Sequence, residues 1–144
     1  MAVYTHLSDK EIRNFLTEYD IGQLLDFSEI AEGVENSNFL LTTSSDKYSL
    51  TLYEKRVDPH DLPFFLKLLS HLANAGLSCP LPVEGIDGNA LRTLGGKPAA
   101  IVTYLQGSWP RQTTLDHCKA LGSTMAIMHE FGKSFHGTRT NALT

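Results

Sequence analysis

The sequence predicts an α+β domain, an antiparallel sheet with one long helix inserted after its third strand. Three observations lead there. A helix with a capping-box start opens the chain, and three closely spaced strand-like segments follow it. A strongly amphipathic helical segment then separates these strands from two or three more.

The opening helix is expected over residues 8–20. Ser8 supplies the N-cap hydroxyl and Glu11 the carboxylate three residues on, and Ile12, Phe15, Leu16 and Tyr19 follow at helical spacing. Residues 38–43 and 48–53 are rich in apolar, β-branched or aromatic side chains. Ser44-Ser45-Asp46-Lys47 between them reads as a hairpin turn. A weaker strand signal covers residues 27–31.

Asp58-Pro59-His60-Asp61 stops the strands. Asp61 is the expected N-cap of the inserted helix, with Pro63 tolerated in its first turn and Gly76 as its C′ residue. Phe64, Phe65, Leu68, Leu69 and Leu72 form its apolar face. Asp87-Gly88 and Gly95-Gly96 are turn dipeptides bracketing a short strand over residues 89–94. The apolar run 99–105 is expected as a buried strand, broken by Gln106-Gly107-Ser108-Trp109-Pro110. A last helix is expected over 114–131, with Leu115, Cys118, Leu121, Met125, Met128 and His129 along one side. This order is the layout of a protein-kinase-like N-lobe, one of several α+β arrangements the pattern admits.

Bulk properties narrow the function classes. The 144 residues, 42% hydrophobic and 19% charged, suit one domain with a buried core. The net charge is −4, and Lys55-Arg56 is the only adjacent pair of basic residues. That argues against a nucleic-acid partner, whose binding needs clustered cations, but leaves a nucleotide open. Cys79 and Cys118 lack metal-ligand spacing and are expected as two buried thiols in a reducing compartment. His117 and His129 are too far apart on the last helix to share a metal. With no basic-then-apolar leader and no long apolar run, the expected setting is the cytoplasm, with no membrane partner.

Ala31-Glu32-Gly33-Val34-Glu35-Asn36-Ser37-Asn38-Phe39-Leu40-Leu41 resembles the first hairpin of the homoserine kinases in the aminoglycoside phosphotransferase and choline kinase superfamily. Residues 50–56, 61–65, 76–82, 125–129 and 139–143 agree with that family in order and spacing. The resemblance implies a kinase-like N-lobe over residues 1–107. Residues 108–144 would then be the hinge exit and the first helix of a C-terminal lobe.

The implied activity is transfer of the ATP γ-phosphate to L-homoserine, giving O-phospho-L-homoserine on the route to threonine. The implied partners are ATP and L-homoserine, and the implied cofactors are ATP and Mg²⁺. Other small-molecule kinases of the fold, acting on choline, ethanolamine or an aminoglycoside, and a non-catalytic binding module are the competing readings.

The expected nucleotide contacts are Asn36, Ser37 and Asn38 at the hairpin, Thr51 and Lys55 on the third strand, and Tyr104 and Leu105 at the hinge. A strand-turn-strand tip bearing Gly33, Asn36, Ser37 and Asn38 can present N–H groups and small polar side chains to phosphate oxygens. Taken without the family, the same tip is an ordinary polar hairpin end.

The family pattern usually has Lys or Arg where Thr51 falls, and Phe64 or Phe65 occupies the usual helix-carboxylate position, so no Lys–Glu pair is carried over. Strand alternation puts Leu50, Leu52 and Glu54 on one face and Thr51, Tyr53 and Lys55 on the other. Lys55 then substitutes for the cation if the strand runs that far, or is an ordinary solvated lysine. Trp109 is a loop anchor or borders the nucleotide.

The sequence contains no His-Gly-Asp or His-Ala-Asp segment with a following Asn, and no later Asp-Phe metal motif. No catalytic or metal-ligating residue is therefore expected among these residues. The chain is expected to be a fragment whose Mg²⁺ ligands lie in a missing lobe. Its last helix is expected to expose an apolar side, which leaves self-association open.

Overall fold

The computed structural model describes residues 4–32, 35–55 and 57–140. Gly33, Val34 and Arg56, named above in the hairpin tip and beyond the third strand, lie outside the described residues, as does the 141–143 part of the closing segment.

Helix α1 (Asp9–Leu16) starts at the expected capping box. The Glu11 N–H donates to Ser8 Oγ at 3.3 Å, and the Ser8 N–H donates to the Glu11 carboxylate at 2.8 Å. It ends four residues earlier than the apolar periodicity suggests. The N–H groups of Thr17, Glu18 and Tyr19 each bond three residues back, so the chain tightens into 3-10-type turns. Tyr19 stays buried all the same.

Strands β1 (Leu24–Ile30), β2 (Ser37–Thr43) and β3 (Lys47–Leu52) form an antiparallel meander. Strands β4 (Arg92–Leu94) and β5 (Lys97–Thr103) complete a five-stranded sheet in the order β1-β2-β3-β5-β4. Gly95 and Gly96, with φ of 59° and 74°, make the two-residue β4–β5 turn in the left-handed conformation that glycine adopts freely. β5 starts and ends two residues before the apolar run does, which leaves Tyr104 and Leu105 outside the sheet.

Alternation along the strands divides the sheet into two faces. Phe39, Leu41, Leu50, Leu52, Ala99 and Ile101 point to one face and form the core with Ile12, Phe15 and Leu16 of α1. Burying one such Leu or Phe contributes about 1.5–3 kcal/mol. This layer packs the meander against α1.

Helix α2 (Leu62–Asn74) is inserted between β3 and β4 and enters through a 3-10 turn, Pro59–Asp61. Asp58 caps that turn by accepting the His60 N–H at 2.9 Å. Asp61, the expected cap, makes no capping bond. Its carboxylate instead accepts Arg139 Nε–H at 2.7 Å. The exit is as expected. Gly76 at φ 103° is C′, the Gly76 N–H bonds Ala73 C=O, and the Leu77 N–H bonds Leu72 C=O.

Helix α3 (Leu115–Gly132) is capped by Thr114 and has no buried residue. Leu115, Leu121, Met125 and Ile127 are exposed. Cys118 on this helix is exposed and Cys79 is partly buried, so the expectation of two buried thiols does not hold. For Cys118 the reason is that, among the described residues, no sheet covers α3.

α3 does pack against α2 at its far end. His71 Nε2–H donates to Phe131 C=O at 2.9 Å, and the rings of Phe64 and Phe135 meet edge-to-face at 5.6 Å. The Arg139 guanidinium lies 5.0 Å from the Phe65 ring centre. Among the described residues no helix is long and apolar enough to cross a membrane.

Candidate nucleotide site

Asn38 on β2 pairs with Thr51 on β3, and Thr51 pairs with Ala100 on β5. With Ile30 opposite Asn38 on β1, these four residues form one row across the sheet. The row lies on the face opposite the α1 core. Thr51 Oγ1–H donates to Asn38 Oδ1 at 2.8 Å. Among the described residues the Asn38 NH₂ makes one long 3.4 Å bond, to Asn36 C=O. Within the row, Asn38 and Thr51 form a neutral, hydrogen-bonded pair flanked by the apolar Ile30 and Ala100.

The expected contact residues are divided by this geometry. Asn38 and Thr51 are brought together. Ser37 is not with them, because alternation turns its side chain to the core face, where it is fully buried. Its Oγ accepts the Tyr4 and Thr5 N–H groups at 2.9 and 3.1 Å and donates to Glu54 Oε1 at 2.7 Å.

Lys55 does not extend Thr51's strand face. β3 ends at Leu52, and Lys55 lies in an exposed turn. Pro98 is the cause. The Tyr53 N–H still reaches Pro98 C=O at 2.9 Å, but proline has no N–H to return the bond, and the ladder stops. The next N–H, of Glu54, goes to the Asn36 side-chain oxygen at 3.2 Å. Asn36 is thus tied to the end of β3.

Tyr104 and Leu105 leave the sheet at its opposite end, half-exposed. The Tyr104 N–H makes a long 3.3 Å bond to Lys47 C=O. Among the described residues the backbone N–H and C=O of Leu105 make no hydrogen bond. Both are available to a planar ligand edge.

Two polar clusters escaped the sequence reading. Glu54 is almost fully buried at the tip end of the core face. It pairs with Lys97 Nζ and accepts the Thr5 hydroxyl at 2.8 Å in addition to that of Ser37. Lys97 also donates to Thr5 Oγ1 at 2.5 Å. Burial by itself would push the Glu54 carboxyl up. The bonds from Lys97, Ser37 and Thr5, with the Lys97 charge, outweigh it and hold the group below the ordinary glutamate value.

The second cluster centres on Arg92. It binds Glu18 through Nε and Asp87 through Nη1, the latter at 2.6 Å, and stacks over the Tyr19 ring. It joins the end of α1 to the 84–91 loop and faces away from the Asn38 row. The available signal for Glu54 was its parity with Leu50 and Leu52, because a carboxylate on a buried face requires a partner. Among the described residues no three His, Cys, Asp or Glu side chains lie close enough to hold a metal ion.

The chain matches the phosphotransferase enzyme family over residues 26–144. It is 58% identical over 144 residues to a homoserine kinase of Paramagnetospirillum magneticum, and 56% identical to one of Bradyrhizobium diazoefficiens. In each case all of this chain is covered but only 44% of the relative, so the chain spans less than half the length of these curated relatives.

Among solved structures it is similar to a spectinomycin phosphotransferase in complex with ADP and spectinomycin. The TM-score is 0.69 at 14% identity, with 88% of this chain and 39% of that one covered. That likeness shows the fold, a kinase-like N-lobe. With this fold, and with the family match running from within the first strand through the last helix, the chain belongs to the phosphotransferase enzyme family.

Proposed function

We propose that the chain is the nucleotide-binding lobe of a homoserine kinase. The whole protein then transfers the ATP γ-phosphate to the hydroxyl of L-homoserine, giving O-phospho-L-homoserine for threonine biosynthesis in the cytoplasm. The observation that carries this reading is identity of 56–58% to homoserine kinases across every residue of the chain.

Residues 1–107 form the lobe that binds ATP, and residues 108–144 lead into the substrate-binding lobe. Asn38, oriented by the Thr51 hydroxyl, provides a neutral donor beside the phosphates, Asn36 ties the β2 arm to the end of β3, and the Leu105 backbone meets the adenine edge beside Tyr104. Ser37 serves through its bond to Glu54, not as a phosphate ligand. Lys55, exposed beyond β3, reaches the phosphates only by swinging in from its turn.

Positioning and electrostatics dominate phosphoryl transfer. The base and metal ligands would come from the remaining length present in the relatives. The 144 residues alone are therefore expected to bind ATP without phosphorylating homoserine.

The test joins these residues to the C-terminal part of the Paramagnetospirillum homoserine kinase and assays O-phosphohomoserine. Turnover by the chimaera, with none by the chain alone, supports the assignment. A folded chimaera that neither binds ATP nor turns over rejects it.

A further inference from the structure

We infer that the Glu54–Lys97 pair, with its carboxylate buried and its ammonium partly exposed, is a positioning device that fixes the Asn36–Asn38 arm at the phosphate end of the sheet. Glu54 grips two successive residues of the arm descending from the tip. Its N–H donates to the Asn36 side chain at 3.2 Å, and its carboxylate accepts the Ser37 hydroxyl at 2.7 Å. The next residue, Asn38, begins the row proposed to meet the nucleotide. A shift of the arm therefore moves Asn38 directly.

The carboxylate is held in turn. Lys97, the first residue of β5, supplies the counter-charge, and Thr5 bridges the two by donating to Glu54 and accepting from Lys97. Three separate pieces of chain, the N-terminal segment, the tip arm and β5, thus converge on one side chain. It lies on the face of the sheet away from the proposed nucleotide and touches none of its atoms. An ion pair in this setting is a poor source of net stability, because desolvation offsets most of the Coulomb attraction. What it provides is a fixed geometry at the base of an otherwise short, polar hairpin end.

The inference rests on the nucleotide reading only for its affinity arm. The test compares the 144-residue chain with Glu54→Gln, Lys97→Met and Lys97→Arg variants by amide hydrogen exchange and by ATP titration. Glu54→Gln keeps an acceptor for Ser37 and Thr5 but loses the charge. Lys97→Met strands the carboxylate, and Lys97→Arg restores the pair.

The expected result is exchange about tenfold faster at the Ser37 and Asn38 amides, which the β2 ladder protects, in the first two variants. Exchange at Phe39, Leu41 and Leu50 stays unchanged, and Lys97→Arg stays near the parent at every site. ATP affinity falls about tenfold in Lys97→Met and recovers in Lys97→Arg. Exchange that rises uniformly through β2 and β3, or stays unchanged at Ser37 and Asn38, overturns the inference, as does equal loss of affinity in Lys97→Met and Lys97→Arg. If the parent chain binds no ATP, the nucleotide reading fails for this chain, and the exchange pattern still decides the positioning role.

Discussion

Thr51 and Asn38 face each other across β2 and β3 and are joined by a 2.8 Å hydrogen bond from the Thr51 hydroxyl to the Asn38 side-chain oxygen. The bond orients the neutral Asn38 amide beside Thr51, the position where the family resemblance implies a cation. A neutral donor at a phosphate contributes less than a charged one, roughly 1 kcal/mol against 1.5–3 kcal/mol. Under the proposed nucleotide reading, much of the charge compensation for ATP would then come from elsewhere in the whole protein.

Thr51→Val keeps the shape and β-propensity of the side chain and deletes the donor. The expected outcome is an ATP affinity about fivefold weaker, equivalent to about 1 kcal/mol, with little change in melting temperature. Isothermal titration beside a thermal melt checks it. Unchanged affinity in both Thr51→Val and Asn38→Ala would take the row out of the nucleotide site.

How much of this was legible in the sequence depended on how local the signal was. The α1 capping box, the Gly76 helix exit and the Gly95-Gly96 turn are each written within a few residues, and each formed where expected. The Ser37 and Asn38 faces were not legible. Asn36-Ser37-Asn38 is polar throughout, so alternation has no apolar contrast to show, and only the pairing of Ser37 with Leu52 fixes the parity. Glu54 and Lys97 are 43 positions apart, beyond any local pattern. The apolar run of β5 overshot because Tyr104 and Leu105 are apolar without being in the sheet.

Arg92→Met removes the link between Glu18, Asp87 and the Tyr19 ring. Both carboxylates are partly exposed and can rehydrate, so the expected loss is about 2 kcal/mol, below that of a fully buried pair. A melting temperature lower by roughly 5 °C with unchanged ATP affinity would place this cluster in stability alone. A parent-like melt would show that the cluster contributes nothing.

Acid should weaken the fold through two carboxylates. Hydrogen bonds from Asn89 and Arg92 lower the Asp87 carboxyl to about 2 from 3.8, and Glu54 lies below 4.5. In the unfolded chain both bind protons more readily than in the folded one. Their contribution is complete above the unfolded values and disappears as pH falls through the folded ones. Urea unfolding should show stability rising from pH 2 to about 4.5, and Glu54→Gln should flatten that rise. At the alkaline end, burial raises the Tyr19 phenol above its ordinary 10.0, so stability should fall above pH 10. A flat acid limb in the parent protein would contradict the assignment.

Arg139→Ala should loosen the junction of α2 with the chain beyond α3 without disturbing the sheet. It removes the bond to Asp61 and the stacking over Phe65. The partners are half-buried, so the global cost is expected at about 1–2 kcal/mol. Amide exchange should quicken at residues 62–66 and 134–138 and stay constant at Leu41, Leu50 and Ile101. Equal quickening everywhere would mean that the junction supports the whole domain.

The same junction has a consequence for synthesis on the ribosome. Asp61 is made 78 positions before Arg139, a wait of roughly 4–16 s at ordinary elongation rates. In that interval β5 is completed and the five-stranded sheet can close, while α2 has neither Phe135 nor Arg139 to rest on. The nascent chain therefore displays the Phe64–Phe65 end of α2 until residues 135–139 emerge. That end is the place where a chaperone would find it.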